Sequence, residues 1–326
     1  MQNHLFIIDP LAKLDLKMDT SLRMAFSLAQ RGHRCYAGDS RHLSWNPHKS
    51  AAAINCQELK FAHTVESVRS IGEPSQTPLT TFQAIHMRKE PPFDMDYIAA
   101  TWLLDSVSTS TALFNTPQGL RDLNEKLSIL RYPEAIAPAL VSCQSDELFS
   151  FIEKEANGDA ILKPLGLYGG KGILRLNLKE QNPSEIKEAL HNETKNGFEY
   201  RLIQPFNQAI FEGEVRVFTV GGKPLTWCLK KPMKDQYMAN SSFGSTRHPY
   251  TPTTDELAMI EDISKDLLKN GVFIAGYDLI GGKLSEINVT SPRLLSAEDD
   301  QSHYFKEFAQ LVELETQKVV SKVTGT

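Results

Sequence analysis

Acidic and amide side chains cluster around a glycine turn near the C-terminal end of the sequence. Asp278 precedes the turn Gly281-Gly282-Lys283, and Glu286 and Asn288 follow it, two positions apart. Side chains alternate along a strand, so Glu286 and Asn288 share one face of the predicted hairpin's second arm. A three-residue loop with a glycine bulge would place Asp278 opposite Glu286, whereas a two-residue loop would place it opposite Ser285.

The first of these registers would gather oxygen ligands from Asp278, Glu286 and Asn288. Carboxylate and amide oxygens suit Mg²⁺, which keeps several waters and takes further ligands from phosphates, and Mn²⁺ accepts the same donors. The alternative is an ordinary hairpin whose charged residues face water. The hairpin therefore predicts a metal site that depends on a phosphate site elsewhere in the chain.

A glycine-rich loop joins two further predicted strands. Its glycines allow a tight turn whose backbone N–H groups approach phosphate oxygens closely, although the loop could also be a plain hairpin turn. Lys163 on the preceding strand and Lys126 on a predicted helix are long enough to reach the same phosphates, but each could equally be a solvated lysine. The candidate nucleotide-binding residues of the loop are Gly166, Gly169, Gly170 and Lys171.

Two more segments could complete a nucleotide site. The backbone leaves a predicted strand after Gln204, and such a hinge could read adenine through main-chain donors and acceptors. The alternative there is an ordinary strand end. Arg216 alternates with apolar residues along the predicted strand 214–218. Burying an arginine is costly unless it meets an anion, so Arg216 is a candidate for contact with phosphate.

The order of predicted helices and strands indicates an α/β and α+β protein of several domains. Strand 5–8, a helix capped by residues 19–21, and strand 33–37 form a parallel α/β unit. The polar, proline-containing segment 40–80 is predicted to include a long loop, and the apolar spacing over 253–271 predicts an amphipathic helix. We predict an N-terminal α/β domain over 1–119, a small domain over 120–200 and a C-terminal domain over 201–326.

Charge and cysteine spacing limit the classes of partner. The 326 residues carry 35 basic and 40 acidic side chains, a net charge of −5, without a basic block. We therefore expect neither nucleic acid nor an anionic membrane as a partner. The four cysteines match no metal or redox spacing and are predicted to be reduced thiols. Without a signal-peptide pattern or an apolar run of membrane length, the sequence predicts a cytoplasmic protein.

The order of these features resembles the ATP-grasp superfamily: a lysine, a lysine strand with a glycine loop, a hinge, a buried arginine and an acidic hairpin. Within it, the chain looks like the bacterial glutathione synthetase family over about residues 4–292. The strings that carry this resemblance are Asp9-Pro10, Met-Arg-Lys-Glu-Pro-Pro-Phe-Asp at 87–94, Arg-Asp-Leu-Asn-Glu-Lys-Leu at 121–127 and Glu-Ile-Asn-Val-Thr-Ser-Pro at 286–292.

The resemblance implies an N-terminal parallel α/β domain followed by an ATP-grasp fold, forming a C–N ligase that tends to be a homo-oligomer, a dimer or tetramer. In that family ATP phosphorylates the carboxylate of γ-glutamylcysteine, and the amine of glycine attacks the acyl phosphate. The implied roles are as follows: Lys126, Lys163, the glycine loop, Gln204, Phe206 and Asn207 for ATP; Asp278, Glu286 and Asn288 for Mg²⁺; Arg216, Lys231, Asn240 and Gly244 for catalysis; and Arg88, Lys231, Arg247, Thr290 and Ser291 for the peptide and amino acid.

Three departures from the family pattern concern the peptide half of the site. Lys230-Lys231 stands where the family has an arginine, the predicted mobile loop 234–247 has fewer glycines and arginines, and residues 293–298 continue differently. Lysine lacks the bidentate grip of arginine on a carboxylate. Two alternatives therefore stay open, namely a ligase for another γ-glutamyl peptide or amino acid, and a non-catalytic ATP-binding module.

Overall fold

The computed structural model describes residues 1–48, 52–234, 236–239 and 243–324. Over these ranges the chain forms three β-sheets with helices packed against them. Every helix within the same ranges is too short or too polar to span a lipid bilayer.

The first sheet contains the N-terminal α/β unit. Its strands are β1 (Asn3–Ile7), β2 (Arg34–Ser44), β3 (Ala53–Lys60), β4 (Arg69–Pro78), β5 (Ala84–Met87) and β6 (Ala112–Phe114), in the order β4-β3-β2-β1-β5-β6. Asp19 is the N-cap of helix α1 (Thr20–Gln30), and its side chain accepts a hydrogen bond from Leu22 N at 2.8 Å. Helix α2 is Met95–Leu104. Strand β1 runs parallel to β2 and β5, as the sequence predicts.

The segment 40–80 was predicted to include a long loop, but most of its described residues lie in strands. Strands β2, β3 and β4 cover much of this segment and pair antiparallel. Nearly every residue of the edge strand β4 is exposed, so the strand has no apolar alternation to reveal it. Prolines at 74 and 78 are tolerated because an edge strand needs fewer ladder hydrogen bonds.

The second sheet is small, with the order β7-β10-β8-β9. Helices α4 (Ser145–Lys154) and α5 (Pro183–Glu193) pack against it around one apolar cluster. The sheet places the glycine loop between β8 and β9, and the predicted hinge at the end of β10. The strands are β7 (Leu140–Ser142), β8 (Asp159–Pro164), β9 (Leu174–Asn177) and β10 (Arg201–Pro205).

The third sheet is antiparallel, with the order β13-β12-β11-β14-β15. Its strands are β11 (Glu214–Val220), β12 (Lys223–Lys231), β13 (Thr246–Pro249), β14 (Ile274–Ile280) and β15 (Lys283–Asn288). The remaining helices are α3 (Pro117–Asp122), α6 (Thr254–Lys269) and α7 (Ser302–Thr324). A capping box of Thr253 and Glu256 starts α6, the amphipathic helix that the apolar spacing predicts.

The β14–β15 hairpin has the predicted pairing through a different turn. Asp278 lies directly opposite Glu286, but Ile280 pairs with Lys283, so the connection is the two-residue turn Gly281-Gly282. Leu284 pairs with Leu279 and Glu286 pairs with Asp278, which leaves Ser285 without a partner on β14. Ser285 therefore forms a bulge. A bulge on the second arm shifts the register by one residue, as the predicted glycine bulge would have done.

Two histidines meet inside the first sheet. His4 Nδ1 on β1 lies 3.2 Å from His86 Nε2 on β5, and both side chains are fully buried. Burial, together with His33 nearby, lowers the pKa of His4 to about 3. Burial also lowers the pKa of His86 well below its usual value. Both rings are therefore neutral in the folded protein at neutral pH.

We expect the protein to lose stability when the pH falls from 7 to 5. The unfolded chain takes up a proton on His4 near pH 6.5 whereas the folded chain resists until about 3, so acid favours unfolding in this window. His4 alone accounts for a loss of about 2 kcal/mol. Urea unfolding at the two pH values measures it. His4→Gln should flatten the pH dependence, and His48→Gln at an exposed histidine should not; an equal dependence in both variants would contradict the assignment.

Candidate active site

A cavity of about 420 Å³ opens between the second and third sheets. Strands β8 and β10 line one wall, and β11, β12, β14 and β15 line the other. Of the residues predicted from the sequence, those that line it are Lys163, Gly169, Gly170, Lys171, Gln204, Phe206, Asn207, Arg216, Asp278, Glu286, Asn288, Thr290 and Ser291. Further lining residues include Glu90, Glu125, Glu214, Lys230, Tyr237, Ser285 and Arg293.

Four buried charges form a closed set on the floor of the cavity. The sheet registers place Arg216 beside Asp278 and Glu214 beside Lys230. Arg216 donates from Nε and Nη2 to the two oxygens of Asp278, at 2.9 and 2.8 Å. Lys230 Nζ lies 2.9 Å from Asp278 Oδ1 and 2.7 Å from Glu214 Oε2. Two carboxylates and two cations thus balance each other away from water.

The protonation states of this set follow from its pairing. Burial alone would raise the pKa of Asp278, but Arg216 and Lys230 outweigh it and hold that pKa well below its usual range. Burial opposes the charged form of Lys230 as well, yet Asp278 and Glu214 raise its pKa above the ordinary value. Burial and the nearby Asp278 raise the pKa of Glu214. Asp278 is therefore ionised, with both cations charged beside it.

Asp278, Glu286 and Asn288 come together as the sequence predicts. Glu286 faces Asp278 across the hairpin, and Asn288 Nδ2 donates to Asp278 Oδ2 at 3.0 Å. Among the described residues there is no group of three or more His, Cys, Asp or Glu side chains arranged to hold a metal. A cation here would therefore depend on the Asn288 amide oxygen and on ligands from a bound substrate. The donors are oxygen only, which fits a hard divalent cation.

Lys163 and Lys126 each contact a side chain of β15, Ser285 and Glu286 respectively. Lys163 Nζ donates to Gln204 Oε1 at 3.0 Å and to Ser285 Oγ at 3.1 Å, and burial lowers its pKa. Lys126 Nζ donates to Glu286 Oε1 at 3.2 Å and to the carbonyl of Leu167 at 2.5 Å. The prediction that Lys126 lies on a helix was wrong. Helix α3 ends at Asp122, and Lys126 lies in the turn that follows.

The glycine loop and the hinge form the other end of the cavity. Gly169 and Gly170 have φ of 65° and 80°, the left-handed region that favours glycine. Phe206 follows β10, with the guanidinium of Arg175 3.9 Å above its ring and Tyr237 against its edge. The Asn207 side chain is occupied within the protein, since it donates to Ile280 O and accepts from Ala209 N. This end is an apolar slot lined by side chains that include Phe206, Ile210 and Tyr237.

Six of the predicted site residues are not among those lining the cavity, one of them Lys126, and a seventh lies outside the described residues. Arg88 is buried and donates to Ser21 Oγ and Pro292 O, so it braces β5 against the segment after β15. Lys231 is exposed at the end of β12, and Arg247 lies on β13 opposite Lys230. Gly166 and Gly244 also lie outside the lining. Asn240 is outside the described residues.

Sequence reasoning chose Lys231 where the structure brings Lys230 into the cavity. Alternation along the strand could have identified Lys230, because Thr226, Cys228 and Lys230 share the buried face of β12. Glu214, two residues before Arg216, faces the same way and could have been found by the same rule. The predicted mobile loop 234–247 is also shorter than expected, because Thr246–Pro249 is strand β13.

Comparison with known proteins agrees with this architecture. Residues 2–121 match the family described as prokaryotic glutathione synthetase, N-terminal domain, and residues 125–302 match its ATP-grasp domain. The glutathione synthetase of Vibrio parahaemolyticus is 33% identical over 288 residues, covering 88% of this chain and 89% of that protein. The one from Ralstonia nicotianae is 34% identical over 293 residues, covering 88% and 87%.

Solved structures agree on the fold. D-cycloserine synthetase DcsG superposes with a TM-score of 0.66 at 15% identity, covering 97% of this chain and 99% of that one. The D-alanine-D-alanine ligase from Coxiella burnetii gives 0.61 at 11% identity, covering 99% and 98%. The fold is therefore the ATP-grasp fold, and the chain belongs to the prokaryotic glutathione synthetase family of ATP-dependent ligases.

Proposed function

We propose that the chain joins γ-glutamylcysteine to glycine with cleavage of ATP. The observation that carries the proposal is the set of cations directed at one cavity whose far end is an apolar slot. Arg216 and Lys230 lie on the floor, and Lys163 and Lys126 approach from the walls. Such a cavity suits a nucleotide triphosphate beside a carboxylate that is to be activated.

The proposed reaction has two steps. A carboxylate oxygen of the peptide attacks the γ-phosphorus of ATP, and the bond to the β-phosphate oxygen breaks, which leaves ADP and an acyl phosphate. The amine of glycine then attacks the acyl carbon, inorganic phosphate leaves, and the amine loses a proton. Arg216 stabilises negative charge in both steps, because its guanidinium is fixed in advance by Asp278.

The nucleotide would lie along the two walls. Lys163, Lys126 and the glycine loop would bind phosphates, while adenine would stack in the slot beside Phe206 and meet the main chain after Gln204. Asp278, Glu286 and Asn288 would hold Mg²⁺ or Mn²⁺ between them and the phosphates. When bound, the metal neutralises phosphate charge, so that a second anion can approach.

The peptide would lie at the N-terminal end of the cavity. Thr290, Ser291, Arg293 and Glu90 line this end. Burial raises the pKa of Glu90, and Arg293 lies close enough to oppose that rise. A zwitterionic peptide suits this arrangement, with its carboxylate towards Arg293 and its ammonium towards Glu90. Arg293 would then take the place that the sequence assigned to Lys231 or Arg247.

We also propose that the chain divides into domains at residues 119 and 200, forms a homo-oligomer and is located in the cytoplasm. The first boundary is supported by its position shortly after β6 ends at Phe114. The second has no such support, because β10 (Arg201–Pro205) pairs with β7 and β8 and belongs to the small sheet. The last two proposals rest on the family resemblance.

We expect Lys163→Ala to weaken ATP binding by about 1.5–3 kcal/mol, the value of a charge-assisted hydrogen bond. The buried ammonium is held in place by Gln204 and Ser285, so no other group replaces it. Calorimetric titration with ATP and Mg²⁺ measures the loss. Lys187→Ala, on the helix at the back of the small sheet, is the matched control. Equal affinities in the two variants would place the phosphates elsewhere.

Phosphate release tests the proposed function as a whole. We expect release from ATP to require both γ-glutamylcysteine and glycine, since the acyl phosphate forms on the peptide and is consumed by the amine. A non-catalytic ATP-binding module would release no phosphate under any combination. Release that proceeds with other peptides or amino acids, but not with this pair, would point to a ligase of different specificity.

A further inference from the structure

Three successive carbonyl groups of the glycine loop are held from outside the small sheet. They belong to Leu165, Gly166 and Leu167. Their donors are Asn124 Nδ2 at 3.2 Å, the backbone N–H of Phe93 at 3.3 Å and Lys126 Nζ at 2.5 Å, respectively. The loop is therefore tied at its start to the N-terminal sheet region and to the turn after α3.

Asn124 has a fixed orientation in this arrangement. Its Oδ1 accepts from the backbone N–H groups of Lys126 and Leu127, at 3.0 and 3.1 Å. Turning the amide over would bring its NH₂ against those two N–H donors, so the donor side must face the carbonyl of Leu165. One side chain thus shapes the turn that carries Lys126 and holds the loop that Lys126 also contacts.

The turn after α3 is hydrogen-bonded to β15 and to the residues that follow it. The carbonyl of Glu125 accepts from Ile287 N at 3.0 Å, and Glu125 Oε1 accepts from the N–H groups of Val289 and Thr290, both at 3.0 Å. Hydrogen bonds therefore connect β15 to the turn and the turn to the glycine loop. Asn124 is the side chain that makes the last connection.

We propose that Asn124 is a positioning residue that holds the glycine loop against the cavity. It is not among the residues that line the cavity, and it acts by keeping the carbonyl of Leu165 and the turn of Lys126 in register. Without the amide donor the loop opens more often, and the lysine loses its fixed distance from Leu167. The effect on ATP rests on the proposed function, whereas the effect on the loop does not.

Trypsin provides a direct measure of loop opening in the whole protein. Lys171 is exposed within the glycine loop, with its ammonium 4.6 Å above the Tyr168 ring. Lys195, whose side chain is 67% exposed, lies on the same small domain outside the loop and is the internal control. Asn124→Asp keeps the acceptor for the two turn N–H groups but loses the donor to Leu165. Asn124→Ala loses both, and melting curves verify that each variant is folded.

We expect cleavage after Lys171 to be about two- to tenfold faster in Asn124→Asp, the range set by one net hydrogen bond, with cleavage after Lys195 unchanged. Asn124→Ala should show at least the same acceleration. The KM for ATP should rise by a similar factor while kcat falls by less than about twofold. An unchanged Lys171 rate in both folded variants, or equal acceleration at both lysines, would overturn the proposal. Proteolysis needs no turnover, so failure of the proposed reaction would leave this test intact.

Discussion

Replacing Glu286 by Gln should lower turnover by about a hundredfold or more while the fold survives. The change keeps the size of the side chain and removes one negative charge opposite Asp278. The stability cost should be small, because Glu286 is partly exposed and its ion pair with Lys126 is long, at 3.2 Å. ADP release at saturating substrates, over a range of Mg²⁺ concentrations, measures the effect.

A carboxylate far from the cavity supplies the matched control for this substitution. Glu188 is exposed on α5, on the side of the small sheet where no cavity residue lies. Glu188→Gln should retain the activity of the parent protein. If Glu286→Gln also stayed within about twofold of the parent at every Mg²⁺ concentration, Glu286 would not be a metal ligand.

Lys230→Met should destabilise the fold by about 3–5 kcal/mol, the cost of leaving a buried ion set without one partner. Glu214 and Asp278 would then share a buried site with Arg216 as their remaining cation. The pKa of Glu214 is already raised by burial and by Asp278, so loss of the ammonium would favour its protonation further. Urea unfolding measures the change in the free energy of unfolding.

The adjacent lysine is a natural control for this second substitution. Lys231 has the same chemistry one position along β12 but is exposed, so Lys231→Met should change stability by at most about 0.5 kcal/mol. Adding Glu214→Gln to Lys230→Met should recover part of the loss, because an unpaired carboxylate is removed. Equal unfolding midpoints for Lys230→Met and Lys231→Met would show that the four buried charges do not act as a set.

The parts of the fold that could be predicted are those in which a local pattern and a buried face coincide. Strand alternation places Glu286 and Asn288 on one face of β15, and of the two registers that the sequence left open the structure has the one that pairs Asp278 with Glu286. The turn length was wrong, because a bulge at Ser285 and a longer loop give the same register. Strand β4 was missed because exposed edge strands show no apolar period.

Some site residues depended on the arrangement of strands as well as on sequence pattern. Lys230 and Lys231 are identical in type and lie on opposite faces of β12, and its register with β11 places Lys230 beside Glu214 on the face that meets the cavity. Arg88 was assigned to substrate binding from its motif, yet its guanidinium bonds Ser21 and Pro292, contacts separated by long stretches of sequence. A motif gives the residues of a site, but the sheet registers decide which of them face the ligand.

Product analysis by mass spectrometry tests the proposed reaction most directly. The protein would be incubated with ATP, Mg²⁺, γ-glutamylcysteine and a mixture of amino acids, beside a matched reaction with a γ-glutamyl dipeptide that lacks the thiol. We expect one new peptide, with the mass of γ-glutamylcysteinylglycine, and a higher kcat/KM for the thiol-containing dipeptide. Faster ligation of the dipeptide without the thiol, or of an amino acid other than glycine, would contradict the glutathione assignment and leave a ligase of another specificity.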